Sequence, residues 1–390
     1  MGRGKYLFPQ VMEYYPCWVF DKAVNTYNAD YHVRVPSSAM CRYLLFGQLS
    51  GCKSLNDISL VLKAHEKHLY QMGFPEGIVD SSSLSRANES RDYRIYEDLG
   101  MWLIKKVGPK YAKEPIPDVY LPGREVFAID STTISCSIKL ATWALGKYSK
   151  GGVKMHTVLN LRGSIPDQIY ITDSRWRDSN YLDVMKPNPW AIYTMDKAYL
   201  DFDALYKLHK ANGFFVTRPK TPLRYEVVER NYNINEAVGI VGDCVIRLTG
   251  YKSKKLYPEN LRIVECLDPE SGEVITFITN NMDLGPLVIA NIYRNRWQIE
   301  TFFKWIKQNL TIKALWGYSK NAVQTQLWVA ICAYLLLAWI KIDLKSPLSV
   351  TEIATIVEVS ILSKSDLREL IHAPEPLTIN QDVNELELNF

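Results

Sequence analysis

Two short stretches constrain this chain most. Val126 to Ile129 (VFAI) and Trp190 to Met195 (WAIYTM) are continuous apolar runs, and each ends in an aspartate, Asp130 and Asp196. A half-exposed strand alternates apolar and polar residues. An unbroken apolar run predicts instead a strand buried on both faces, the arrangement of an α/β sheet. Open sheets of that kind bind ligands at the carboxyl ends of their strands. An acid placed there is held rigidly and close to solvent, which suits a metal ligand. For either aspartate alone, a helix cap or turn role explains it as well.

A third stretch supplies what the pair lacks. Tyr293 to Lys307 reads YRNRWQIETFFKWIK, with no Gly or Pro and recurring apolar residues, and predicts one helix. At about 100° per residue, Tyr293, Arg296, Glu300 and Lys307 share one edge, with Lys304 on it and Trp297 flanking it. Ile292, Ile299, Phe303, Ile306 and Leu310 form a separate face for burial. Taken alone this is an ordinary amphipathic helix, but Asp130 and Asp196 give Glu300 partners. Three carboxylates from two strand ends and a helix can hold two Mg²⁺ ions, or Mn²⁺ in their place. Ions about 3.5–4 Å apart clamp the attacking and leaving oxygens of a phosphoryl transfer. Asp130 would bridge both ions, with Asp196 and Glu300 each completing one side. Arg296 and Lys307 would then bind phosphate, and Tyr293 would donate to a phosphate oxygen or pack on sugar. Trp297 either stacks on an unpaired base or belongs to the core, and the core is the favoured reading.

Around this site the chain divides readily. Residues 1–110 look helical, with helices over Ser38–Leu49 and Leu55–His65 and a capping pair, Ser54 and Asp57. A third helix is expected from Ser81 to about Lys106, exposing Ser85, Arg86, Asn88, Arg91 and Arg94. That face is either a DNA surface or a solvated arginine face. Prolines 115, 117 and 122 mark a linker over 111–123. A core of residues 124–217 adds strands over Val153–Leu161 and Gln168–Thr172, joined by the turn Arg162–Asp167. The polar DSRWRDSNYL segment leads into a short helix. Another helix follows Asp196, from Lys197 to about Ala211, then a strand over Phe214–Thr217. Residues 218–281 read as a β-rich insertion with Lys252, Lys254 and Lys255 at a basic tip. The core resumes over 282–345. Its run from Leu327 to Ile340 is shorter than the ~20 residues that span a bilayer, so a buried helix is expected and no membrane. Residues 346–390 form an acidic helical tail, a solvated cap or a mimic of DNA charge, and a candidate dimer contact.

The net charge of +4 permits nucleic-acid binding without requiring it. Seven scattered cysteines with no CxxC pair argue against a disulfide framework or a zinc site. With no apolar secretory core in MGRGKYLFPQ, a reducing, cytoplasmic setting is expected.

The spacing Tyr293-x2-Arg296-x3-Glu300-x6-Lys307 resembles the YREK signature of DDE transposases of the insertion-sequence-four group, matching at all four positions. Asp130 in FAIDST and Asp196 in YTMDKAY resemble that family's first and second catalytic aspartates. One departure is Ala198-Tyr199, where the family often has Gly-Tyr. The resemblance covers most of the chain, weakly over the first 110 residues and the tail. It implies an RNase H-like core (a mixed sheet flanked by helices) carrying the β-rich insertion, a helical N-terminal DNA-binding domain and a helical C-terminal part. It also implies a bacterial, nucleoid-associated homodimer that synapses the terminal inverted repeats of its own element. Such an enzyme nicks one strand, forms a hairpin and transfers the end into double-stranded target DNA. The alternatives are a nuclease with the same acids but no strand transfer, or a silent DNA-binding repressor.

Overall fold

The computed structural model describes residues 4–136, 143, 151–232, 234–268, 271–310, 312 and 314–372. The chain opens with helices Leu7–Met12 (α1), Cys17–Thr26 (α2), Ser37–Leu49 (α3) and Leu55–Ala64 (α4). Ser54 caps α4 by accepting the Asp57 N–H at 3.0 Å. The single helix expected from Ser81 is two, Ser81–Ser90 (α5) and Arg94–Val107 (α6). The break is stabilised from a distance. Asn321 donates to the carbonyls of Asn88, Glu89 and Arg91 and accepts the Tyr93 N–H at 3.0 Å. Carbonyls that a continuous helix would satisfy internally are thus satisfied by a side chain from the far end of the sequence.

The sheet follows: Val126–Cys136 (β1), Gly151–Asn160 (β2), Ile165–Asp173 (β3), then the short helix Tyr181–Val184 (α7) and Ile192–Met195 (β4). The helix expected from Lys197 is delayed to Phe202–Lys210 (α8), because Asp201 caps it through the N–H groups of Asp203 and Ala204. After Phe214–Thr217 (β5) come Tyr225–Arg230 (β6), Ile240–Leu248 (β7), Ser253–Leu256 (α9), Leu261–Leu267 (β8) and Val274–Thr279 (β9). Among the described residues these nine strands form one mixed sheet, ordered β3-β2-β1-β4-β5-β9-β8-β7-β6. β4 runs parallel to β1 and to β5, and every other pairing is antiparallel. The β-rich insertion therefore extends the core sheet through β9, which pairs with β5.

Alternation sorts the strands onto two cores. Val126, Ala128 and Ile192 pack on one face, and Phe127, Ile129, Tyr193 and Met195 on the other. The second face is covered by α7 and α8. The first is covered by Pro286–Arg294 (α10) and Trp297–Asn309 (α11), whose buried Ile292, Ile299, Phe303 and Ile306 are the predicted apolar face. The sequence pattern called for one helix here. Asn291 and Asn295 interrupt it by donating to the linker carbonyls of Asp118 (3.0 Å) and Pro117 (2.8 Å), and the chain tightens into three-residue turns at Arg296, Gln298 and Ile299. This is the mixed sheet flanked by helices of an RNase H-like core.

Lys320–Asp343 (α12) runs on beyond the apolar stretch Leu327–Ile340 to 24 residues. It is long and apolar enough to cross a membrane, yet 94% of its most apolar window is buried inside the protein. α3, α5 and α6 pack around it, so the N-terminal helices and the first face of the sheet share one continuous core. Val350–Ser360 (α13) and Leu367–Ile371 (α14) close the fold. Gln10 of α1 joins them by donating to Ser365 O and accepting the Leu367 N–H, both at 2.8 Å. The tail acids from Glu375 onward lie outside the described residues.

Gly100 lets α6 approach α12. A Cβ there would sit 2.7 Å from the ring of Trp328, itself 1% exposed. Gly100→Ala, favourable by about 1 kcal/mol in a free helix, is therefore expected to destabilise the protein by about 1–3 kcal/mol in urea unfolding. Trp328→Ala should cost about 3–5 kcal/mol.

Candidate active site

The parallel register of β1 and β4 runs through Ala128 with Thr194 and Ile129 with Met195. The next position on each strand is an aspartate, so Asp130 and Asp196 leave neighbouring strands side by side. Both alternate onto the face of Val126, Ala128 and Ile192, the face covered by α11. Asp196 accepts the Ala198 N–H at 3.0 Å, which holds its carboxylate at the head of a single tight turn.

α11 brings Glu300 to the same place. Asp130 and Glu300 line one cavity of about 400 Å³ together with Thr132, Lys304 and Lys307. Arg296 lies between the two acids, its Nη2 2.8 Å from Glu300 and its Nη1 3.9 Å from Asp130. Its guanidinium also stands 5.7 Å from the centre of the Tyr293 ring. Burial pushes the Tyr293 phenol up; Arg296 opposes this, and the Asp196 carboxylate adds to it. Tyr293 and Arg296 thus link the Asp196 side of the site to the Glu300 side.

The electrostatics of Asp130 are distinctive. Burial raises its carboxyl to about 6; the Ser131 N–H and Arg296 oppose the shift, while Glu300 and Asp178 reinforce it. A group so placed gains most from a cation. All three acids are hard oxygen donors, which suits Mg²⁺ or Mn²⁺. Among the described residues no three His, Cys, Asp or Glu side chains stand close enough to hold one ion as they are. Arg296 occupies the space between two of the three. The donor chemistry fits a divalent ion if Arg296 turns outward.

The other expected contacts divide. Lys304 is exposed beside the carboxylates, and Lys307 lines the same cavity. Trp297, read as core, is 55% exposed at the first position of α11, because the break at Asn295 turns it outward. Lys252, Lys254 and Lys255 are exposed at α9. Arg86 and Arg94 are exposed, and Arg94 pairs with Asp92. Arg91 and Asn88 are not on that surface. Asn88 is 1% exposed, and Arg91, 8% exposed, donates to Val35 O at 2.7 Å with Asp30 beside it. Asn88 lies on the buried side of α5 with Leu84 and Ala87, and Arg91 turns inward where α5 ends, so the expected row of arginines is not continuous. A larger cleft, about 1100 Å³, opens against Arg230, Arg247 and Glu259 and contains none of the three acids. The sequence reading passed over Asp178, which stands close enough to act on Asp130. Its signal was Lys154 and His156, two ionisable side chains alternating with the apolar Val153 and Met155 on β2.

Residues 121–336 match the family described as Transposase DDE domain, more than half of the chain. The chain belongs to that family. Residues 3–75 match a domain of unknown function, DUF4372. The chain is 36% identical over 212 residues to "Putative transposase y4zB" of Sinorhizobium fredii, covering 54% of this chain and 59% of that one. It is 28% identical over 263 residues to "Putative transposase for insertion sequence element IS4SA" of a Synechocystis, covering 66% and 71%. The chain spans a little under two thirds of the first relative's length. A piggyBac transposase in a synaptic complex with hairpin DNA aligns at a TM-score of 0.45 and 9% identity, over 95% of this chain and 83% of that one. The family match contains all three acids, as residues 121–336 run from before β1 into α12.

The raised carboxyl of this family member has a stability consequence. Folded Asp130 holds its proton up to about pH 6, whereas an unfolded aspartate, at 3.8, releases it earlier. Charging it in place therefore costs stability as pH rises through that window, by roughly 2–3 kcal/mol at most. Asp130→Asn should unfold at higher urea than the native chain at pH 7.5 in EDTA. The gap should close as pH falls from 6 towards 4.

Proposed function

We propose that this protein is a DNA transposase that cuts and rejoins DNA by phosphoryl transfer at Asp130, Asp196 and Glu300. The observation that carries the reading is the register of β1 and β4, which aligns two aspartates on the face where α11 presents Glu300 and Arg296. The family match and the insertion-sequence name of the Synechocystis relative support the same chemistry. The three acids would hold divalent metal, Mg²⁺ or Mn²⁺, which supplies Lewis acidity to the phosphate and activates the attacking oxygen.

The chain's own side chains would do the rest. Arg296, freed from Asp130 and Glu300, turns its planar fork to a phosphate of the cleaved strand. Lys304 and Lys307 line the cavity beside Glu300 and steady the backbone on either side. Tyr293, packed on Phe277 at 5.0 Å, offers its hydroxyl next to Arg296. Exposed Trp297 has an open face for a base displaced from the duplex. Further out, Arg86, Arg94 and the Lys252–Lys255 tip would carry non-specific phosphate contacts. The substrates would be the ends of the protein's own mobile element and target DNA, held by two copies of the chain. Residues 1–110 would serve as the DNA-binding part.

Asp130→Asn, Asp196→Asn and Glu300→Gln should each lower cleavage of DNA from the flanks of the gene by at least a thousandfold. Their affinity for the same DNA, measured by mobility shift without metal, should stay within a few-fold of the native chain. Full cleavage by any of the three sinks the assignment. Joined products beside nicked ones separate a transposase from a nuclease that only hydrolyses. Lys307→Ala should weaken end binding, with a smaller salt slope.

A further inference from the structure

Behind β1, on the face opposite Asp130, a polar cluster interrupts the second core. β1 and β2 pair without a bulge, so alternation is strict and Ser131 stands directly across from His156. Asp178, in the turn after β3, receives two donors on one oxygen. The Ser131 hydroxyl donates to its Oδ1 at 2.6 Å and Lys154 Nζ at 3.0 Å. Lys154 also donates to Trp176 O at 3.0 Å, and its side chain is only 13% exposed. His156 closes the cluster. It is fully buried, stacked on Tyr181 at 5.4 Å and edge-on to Trp176 at 4.9 Å. Thr172 spends its own hydroxyl proton on Asp173 O, so its oxygen accepts from His156 Nε2 at 3.1 Å. Burial lowers His156 to about 4, leaving a neutral ring at physiological pH with Nδ1 3.9 Å from Asp178.

This cluster reaches the proposed site by a short covalent and hydrogen-bonded path. The backbone N–H of Ser131 donates to Asp130 Oδ1 at 2.8 Å, while the side chain of the same residue is held by Asp178. An exposed ion pair contributes little and wanders. A mostly buried one, with a second donor held by a carbonyl, has one geometry, and removing a partner leaves an uncompensated charge. Apolar side chains would fill this part of the core without that liability.

We propose that Lys154 and Asp178 are positioning residues for Asp130. They fix Ser131, and through its N–H they fix the orientation in which the Asp130 carboxylate meets metal. The proposal rests on the carboxylate site proposed above. Residues that orient a metal ligand from behind typically change metal affinity 10- to 100-fold when replaced.

The test is Mn²⁺ binding by the full chain, read from the free-ion signal in electron paramagnetic resonance, alongside thermal unfolding and metal-free DNA affinity. Asp130→Asn should lose Mn²⁺ binding. Ser131→Ala and Lys154→Met should weaken it about 10- to 100-fold with DNA affinity unchanged, while Lys154→Arg retains it. Asp178→Asn should be weaker still, and adding Lys154→Met should recover part of the loss by removing the stranded charge. Ser131→Ala deletes a single hydroxyl and decides the matter if Asp178→Asn does not fold. Native Mn²⁺ affinity in both Ser131→Ala and Lys154→Met overturns the positioning role alone. So does an Asp178→Asn as dead as Asp130→Asn with no recovery in the double variant, since Asp178 would then be a ligand. Native Mn²⁺ affinity in Asp130→Asn overturns the carboxylate site itself, and the positioning role with it.

Discussion

The parallel pairing of β1 with β4 is the constraint on which the rest of the site depends. Four residue pairs, from Val126 with Ile192 to Ile129 with Met195, set the register. A slip of one residue would send every side chain of one strand to the other face. Asp196 would then enter the core of Tyr193 and Met195 and lose Glu300 altogether. The register is protected because both strands are apolar on both faces and are covered on both sides. A displaced β4 would have to bury Asp196 among Tyr193 and Met195, and a displaced β1 would set Asp130 against the Asp178 carboxylate. That cost is several kcal/mol, more than the few pairs of ladder hydrogen bonds at stake.

Around the acids the protein balances burial against charge. Asp130 is recessed enough that its charged form is disfavoured, and Glu300 adds repulsion. Arg296 relieves both at once from one turn N-terminal to Glu300 on the same helix. In the proposed mechanism the same residue would satisfy the acids before metal arrives and a phosphate afterwards. Behind the strand, Asp178 and Lys154 form a second charged pair that is mostly buried on the Lys154 side. The end of β1 thus carries charge on both faces of the sheet.

Much of this was readable from residue order. The runs VFAI and WAIYTM marked buried strands by their lack of charge, although Trp190 lies exposed ahead of β4, and the aspartates marked where those strands emerge. The spacing of Ile292, Ile299, Phe303 and Ile306 marked the face that α11 buries. What residue order hid was the effect of remote partners. Local periodicity from Ser81 to Lys106 supports one helix, yet Asn321 bonds the carbonyls at a break in it, where Arg91 turns inward. Asn291 and Asn295 look like ordinary helical polar residues until the linker carbonyls meet them, and the break they cause exposes Trp297. β6, which reads YEVVER and is exposed along its whole length, carries no apolar alternation to betray it.

The sequence alone determined which segments are buried, that the sheet needs helices on both faces, and that acids stand at two strand ends and on one helix. These follow from hydrophobicity and periodicity, which act within a dozen residues. Tertiary structure decided which arginines face solvent, that Arg296 sits between Asp130 and Glu300, and that Asp178 stands behind β1. Each of those outcomes turns on a hydrogen bond or ion pair between residues that come together only when the chain has folded, and no local pattern encodes the partner.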